Sequence, residues 1–109
     1  MAYDLGLAQR VREALAAHDE VTEKKMFGGV AFMVRGHMCC GITREDLMVR
    51  LGPDAYQQAL GEVGARPMDF TGKALKGFVY VGPDGCEDDD ALAGWVQRAA
   101  AFVRTLPPK

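Results

Sequence analysis

No stretch of this chain is long, apolar and uncharged. No apolar run approaches the roughly 20 residues that a helix needs to cross a bilayer. The first twenty residues carry acids and no basic segment leading into an apolar block, so a secretory leader is not expected. Cysteine is scarce and odd in number, at Cys39, Cys40 and Cys86. That count argues against a secreted disulfide framework and for a cytoplasmic protein with reduced thiols. Neither sign of charge dominates: the formal net charge is -2. A general nucleic-acid binder usually shows a strongly basic domain, so direct nucleic-acid binding is not expected. Internal repeats, low-complexity tracts and linkers are also missing. At 109 residues, the chain has the length of one domain.

What is present centres on residues 24–51, KKMFGGVAFMVRGHMCCGITREDLMVRL. Three short apolar runs, at 30–34, 38–42 and 47–51, are separated by polar or glycine-containing gaps, the pattern of an antiparallel meander. Strict alternation puts Val30, Phe32 and Val34 on one face, with Ala31, Met33 and Arg35 on the other. The same rule groups Met38, Cys40 and Ile42 against His37, Cys39 and Gly41. It also separates Leu47, Val49 and Leu51 from Met48 and Arg50. One face is apolar and the other mixed, as in a sheet covered by helices on one side. A further strand is expected near residues 22–27. Gly28-Gly29 reads as a tight turn or bulge, because a strand and not a helix follows it.

Helical spacing of Leu7, Val11, Ala14 and Leu15 predicts a helix over about 4–17, with Asp4 as N-cap. A second helix is predicted over 53–60, opened by Pro53. Residues 65–70 and 77–82 read as strands, the first an edge strand because of Pro67. Leu92, Trp95, Val96, Ala99, Val103 and Leu106 predict a last helix starting within 87–90, where the acids suit its N-terminus. The order is one helix, three or four antiparallel strands, a helix, one or two strands, and a helix. This is an α+β domain.

No catalytic constellation stands out. Adjacent residues on a flat strand point to opposite faces, so Cys39 and Cys40 are expected to be separated. His37 and Cys39 alone supply too few ligands for zinc. The acids of 87–90 lack the oxygen-ligand spacing of a calcium loop. The chain is therefore read as non-enzymatic, with no cofactor and no metal. The alternative is a small ligand-binding or thiol-dependent enzyme domain using Cys39, His37 and Arg35. Basic residues cluster on or near the sheet: Lys24, Lys25, Arg35, Arg44, Arg50, Arg66, Lys73 and Lys76. By parity Met33, Arg35, Met48 and Arg50 share the mixed face, which makes that face the candidate partner-binding surface.

Several motifs resemble the N-terminal domain of the TfoX/Sxy family. The most specific is Lys25-Met26-Phe27-Gly28-Gly29 followed by a strand. The 47–50 strand, Ala65-Arg66-Pro67-Met68, Gly77-Phe78-Val79-Tyr80-Val81 and the Trp95 helix follow in the expected order. The resemblance covers nearly the whole chain and is strongest to short, stand-alone members. It implies an α-β(3)-α-β(2)-α two-layer fold, similar to secretion chaperones, in which Met26, Phe27, Gly28 and Gly29 are structural. Longer members are transcriptional co-activators of natural competence that act with the cyclic-AMP receptor protein. The function implied is a regulatory or adaptor domain that works through protein contacts. Its partner would be a protein of the transcription machinery or a regulator, with a homodimer also allowed and no membrane involved.

Overall fold

The computed structural model describes residues 3–26, 29–70 and 73–107. Helix α1 (Leu5–Ala14) precedes strands β1 (Val21–Met26), β2 (Gly29–Val34), β3 (His37–Thr43) and β4 (Asp46–Arg50). Helix α2 (Pro53–Ala59), strands β5 (Ala65–Phe70) and β6 (Lys73–Val81), the short α3 (Pro83–Cys86) and α4 (Asp89–Val103) complete the chain. The strands form one six-stranded sheet in the order β1-β2-β3-β4-β6-β5, with every neighbouring pair antiparallel. The α+β class agrees with the sequence pattern.

β1 is the further strand expected near residues 22–27 and makes the scheme four strands plus two. β1 pairs along its whole length with β2. Its sequence, VTEKKM, has no apolar alternation because it is an edge strand whose residues 22–25 are exposed. Lysines on such an edge discourage pairing with other chains. The Pro83-Asp84-Gly85 segment begins the one-turn helix α3, ahead of α4.

All four helices contribute buried residues to one core on a single side of the sheet. Leu7 and Val11 of α1, Tyr56 and Ala59 of α2, Cys86 of α3, and Trp95, Val96, Ala99 and Val103 of α4 pack with Phe32, Ile42, Leu47, Val49, Val79 and Val81. Phe32 is fully buried, and burying a side chain of that size contributes about 1.5–3 kcal/mol. The starts of α1 and α4 are capped by aspartates, as their sequences suggest. Asp4 Oδ1 accepts from Leu7 N–H at 3.0 Å and Asp88 Oδ2 accepts from Ala91 N–H at 3.2 Å. The Trp95 indole N–H donates to the Gly85 carbonyl at 3.2 Å, which ties α4 to α3. Arg10 of α1 reaches the same junction, donating to the Cys86 and Glu87 carbonyls at 2.9 Å.

No helix among the described residues is long and apolar enough to cross a membrane. Phe27 and Gly28 of the glycine-pair motif lie outside the described residues, and Met26 ends β1. Gly29 opens β2, where a Cβ atom would stand 1.9 Å from the Ile42 carbonyl oxygen on β3. That neighbour is backbone and cannot swing aside, so only glycine lets the two strands pair here. Gly29→Ala is expected to destabilise the domain by about 2–3 kcal/mol, as overpacking does. The melting temperature should then fall by roughly 10 °C or more in thermal unfolding. Gly94→Ala, in open space on α4, should leave it unchanged or slightly raised.

Candidate functional site

The decisive local feature is in β3. Phe32 of β2 lies opposite Cys40, but the next residue, Met33, lies opposite Met38. Cys39 is thus an extra residue without a partner on β2, which is a β-bulge. A bulge reverses the alternation of everything on one side of it. The first half of β3 is therefore turned over relative to the strict pattern. His37 lies opposite Val34 on the helix side, and Met38 lies opposite Met33 on the open side.

This overturns the separation of the two cysteines. Cys39 and Cys40 are both fully buried in the same core cluster. The Cys40 thiol donates to the Cys39 sulfur, and this pulls Cys39 below the ordinary thiol range; burial opposes the shift, and Arg104 and Arg50 add to it. The same hydrogen bond, with burial, pushes Cys40 well above that range. His37 is nearly buried, and its Nε2 donates to the Pro107 carbonyl at 2.5 Å. A carbonyl only accepts, so Nε2 carries a proton. His18, just after α1, is tied to α4. Its Nε2 donates to Gln97 Oε1 at 2.7 Å and its Nδ1 accepts from Arg104 Nε–H at 3.2 Å. Cys86 stands apart, with its thiol directed at the Gly82 carbonyl at 3.4 Å, and burial raises its pKa. Among the described residues, no three His, Cys, Asp or Glu side chains are grouped to hold a metal ion.

The four residues predicted to share a partner-binding face do not form one patch. Met33 is half-buried on the open face. Arg35 has φ 55° and begins the two-residue turn between β2 and β3, so it projects from the turn and not from a strand. Met48 is fully buried and is no contact residue in this structure. It lies opposite Gly41, where a Cβ would come within 2.7 Å of the Met48 methyl. Glycine at 41 thus leaves room for the long side chain beneath the open face. The Arg50 guanidinium lies 5.5 Å from the Phe78 ring and 5.8 Å from the Phe102 ring, so it is held between two aromatic faces.

Strand register assembles a different open face. Met33 is opposite Met38, and Arg50 is opposite Phe78. Arg50 Nη1 approaches the Met38 carbonyl at 3.5 Å. Arg66 is opposite Tyr80, with its guanidinium 5.0 Å from the ring. Met33, Met38, Phe78 and Tyr80 are all half-buried there. Strict alternation hid Met38 from this group because it assumed no bulge. The pairing of Phe78 and Tyr80 on one face was legible, but the face they share with Met33 was not.

The fold defines an α+β domain whose sheet carries, on the face away from the described helices, half-buried methionine and aromatic side chains around the buried Ala31, Gly41 and Met48. The family model described as the TfoX N-terminal domain matches residues 13–103, and the chain belongs to that family. Comparison with curated proteins and with solved structures returned no match.

The thiols predict a pH dependence. Raised folded-state pKa values at Cys40 and Cys86 contribute stability that is present below the ordinary thiol pKa of about 8.5 and lost as pH rises through the folded values. The lowered value at Cys39 acts oppositely, with a contribution present above the ordinary value and lost as pH falls through the folded one. Above the ordinary thiol pKa the Cys39 contribution is complete, so the raised Cys40 and Cys86 set the alkaline trend. The urea midpoint should fall between pH 8 and pH 10, and Cys86→Ala should flatten that fall. Each raised thiol would account for about 1.4 kcal/mol per pH unit between its unfolded and folded pKa.

Proposed function

We propose that this chain is a non-enzymatic regulatory or adaptor domain of the competence type, which acts in transcriptional regulation through protein contacts on the open sheet face. Family membership supports this reading at the level of the domain. The observation that carries the surface assignment is the row Met33, Met38, Phe78 and Tyr80, with Arg50 and Arg66 laid against its aromatic rings. Methionine, aromatic residues and arginine are the side chains enriched where proteins bind each other. A formal charge of -2 gives no basic field over the whole domain, which favours a protein partner over nucleic acid.

The test is a pair of surface changes that leave the core alone. Met33→Lys and Arg66→Ala should each reduce capture of the cognate regulator at least tenfold, while the melting temperature moves by no more than about 4–8 °C, the equivalent of 1 kcal/mol in a domain of this size. Capture at wild-type strength by both variants would sink the surface assignment. Retardation of DNA that weakens steeply with salt would instead favour direct nucleic-acid contact.

A further inference from the structure

The sheet face away from the described helices is graded in size and in charge. Strand register sorts its side chains into rows that cross the strands. One row is Met33, Met38, Arg50 and Phe78, all half-buried. The middle row holds Ala31, Gly41 and Met48, which are already buried within the single chain. Two residues further along the strands, the third row is Gly29, Thr43, Asp46 and Gly82. The face is thus thick at the end of the β2–β3 turn and thin at the opposite end. Charge follows the same gradient on β4, where Asp46, Met48 and Arg50 alternate onto this face. Arg50 is in none of the ion pairs among the described residues. The sheet edges discourage a partner, with lysines in β1 and a proline in β5.

We propose that a second copy of this chain covers this face, in a face-to-face dimer whose two-fold axis crosses the strands over Met48. That rotation sets each strand over its own counterpart and reverses its direction. The thick row of each chain then meets the thin row of the other. Met33 lies against Gly29 of the second copy, Met38 against Thr43 and Phe78 against Gly82. Arg50 meets Asp46, and the two-fold makes that pair twice. The Arg66 guanidinium, 3.5 Å from where a Gly82 Cβ would stand, comes to lie against the Phe78 ring of the second copy. A two-fold running along β4 would instead set Arg50 on Arg50 and bulk on bulk, so the pattern selects the axis. Two twisted sheets packed about 10 Å apart diverge at their corners, which keeps Lys24 of one chain away from Lys24 of the other. Six strands at about 4.8 Å spacing and about five residues along each give roughly 24 Å by 15 Å in plan. That is the small end of specific interfaces, so the dimer is weak and concentration-dependent. It occupies the surface assigned above to a regulator, and the two exclude each other. That exclusion rests on the regulator reading; the dimer does not.

Sedimentation equilibrium of the whole chain tests this. The wild-type mass should move from one chain towards two as concentration rises from about 10 µM to about 1 mM. Arg50→Asp and Asp46→Arg each set like charges against each other across the axis. Each alone should weaken the dimer by about tenfold or more. Mixed in equal amounts, the two variants should pair with each other to within about fivefold of wild-type strength, because every Asp then faces an Arg. A single-chain mass at the highest concentration would overturn the proposal. So would a dimer that neither change weakens, or two folded variants that do not pair. If Asp46→Arg does not fold, Phe78→Ala takes its place, and undiminished dimer in it and in Arg50→Asp overturns the proposal. The two readings of the face separate cleanly. A monomeric chain whose regulator capture is lost in Met33→Lys sinks the dimer alone. A dimer whose regulator capture survives both Met33→Lys and Arg66→Ala sinks the regulator contact alone.

Discussion

The extra residue at Cys39 is the constraint on which the arrangement of this domain turns. Antiparallel pairing holds Phe32 opposite Cys40 and Val34 opposite His37, which leaves two residues of β3, Met38 and Cys39, against Met33 alone on β2 between them. One strand must bulge, and every side chain before the bulge changes sides. That single shift puts His37 under the end of α4, Met38 on the open face and both thiols in the core. Without it, the C-terminal segment would lose the ring that holds Pro107. That face would lose Met38, one of its half-buried methionines.

The same shift divides the domain into two surfaces with different chemistry. The helix side is a packed apolar core whose polar groups are fixed by specific partners: His37 with Pro107, His18 with Gln97 and Arg104, Trp95 with Gly85. Such contacts cost little because each buried donor finds an acceptor. The open side carries half-buried methionine and aromatic side chains under arginine planes. Arginine there covers apolar surface and still presents charge, a combination suited to contact with another protein. Glycine at 41 serves this side too, since Met48 fills the space its missing side chain leaves.

The class of fold, the α4 stripe, the caps at Asp4 and the family motif were legible in the residues, because periodicity and capping are local properties. Trp95, Val96, Ala99 and Val103 recur at helical spacing and are buried as that spacing requires. β1 was faint because an edge strand need not alternate. The candidate surface was legible only in part. Met33 stands on it, and so does Arg50, laid against the Phe78 and Phe102 rings; Arg35 belongs to a turn and Met48 is buried.

The sequence by itself determined that this chain builds an antiparallel sheet with helices on one side, and it determined the family through Met26 to Gly29 and the strands that follow. Both follow from short-range patterns of residue type. Only the tertiary structure decided what Cys39 and Cys40 are to each other. Whether neighbours on a strand meet or part depends on register against the next strand, and register is set by pairing across the sheet and not by the residues themselves. The stretch that names the family is thus also the one whose chemistry stayed hidden until β2 and β3 were laid side by side.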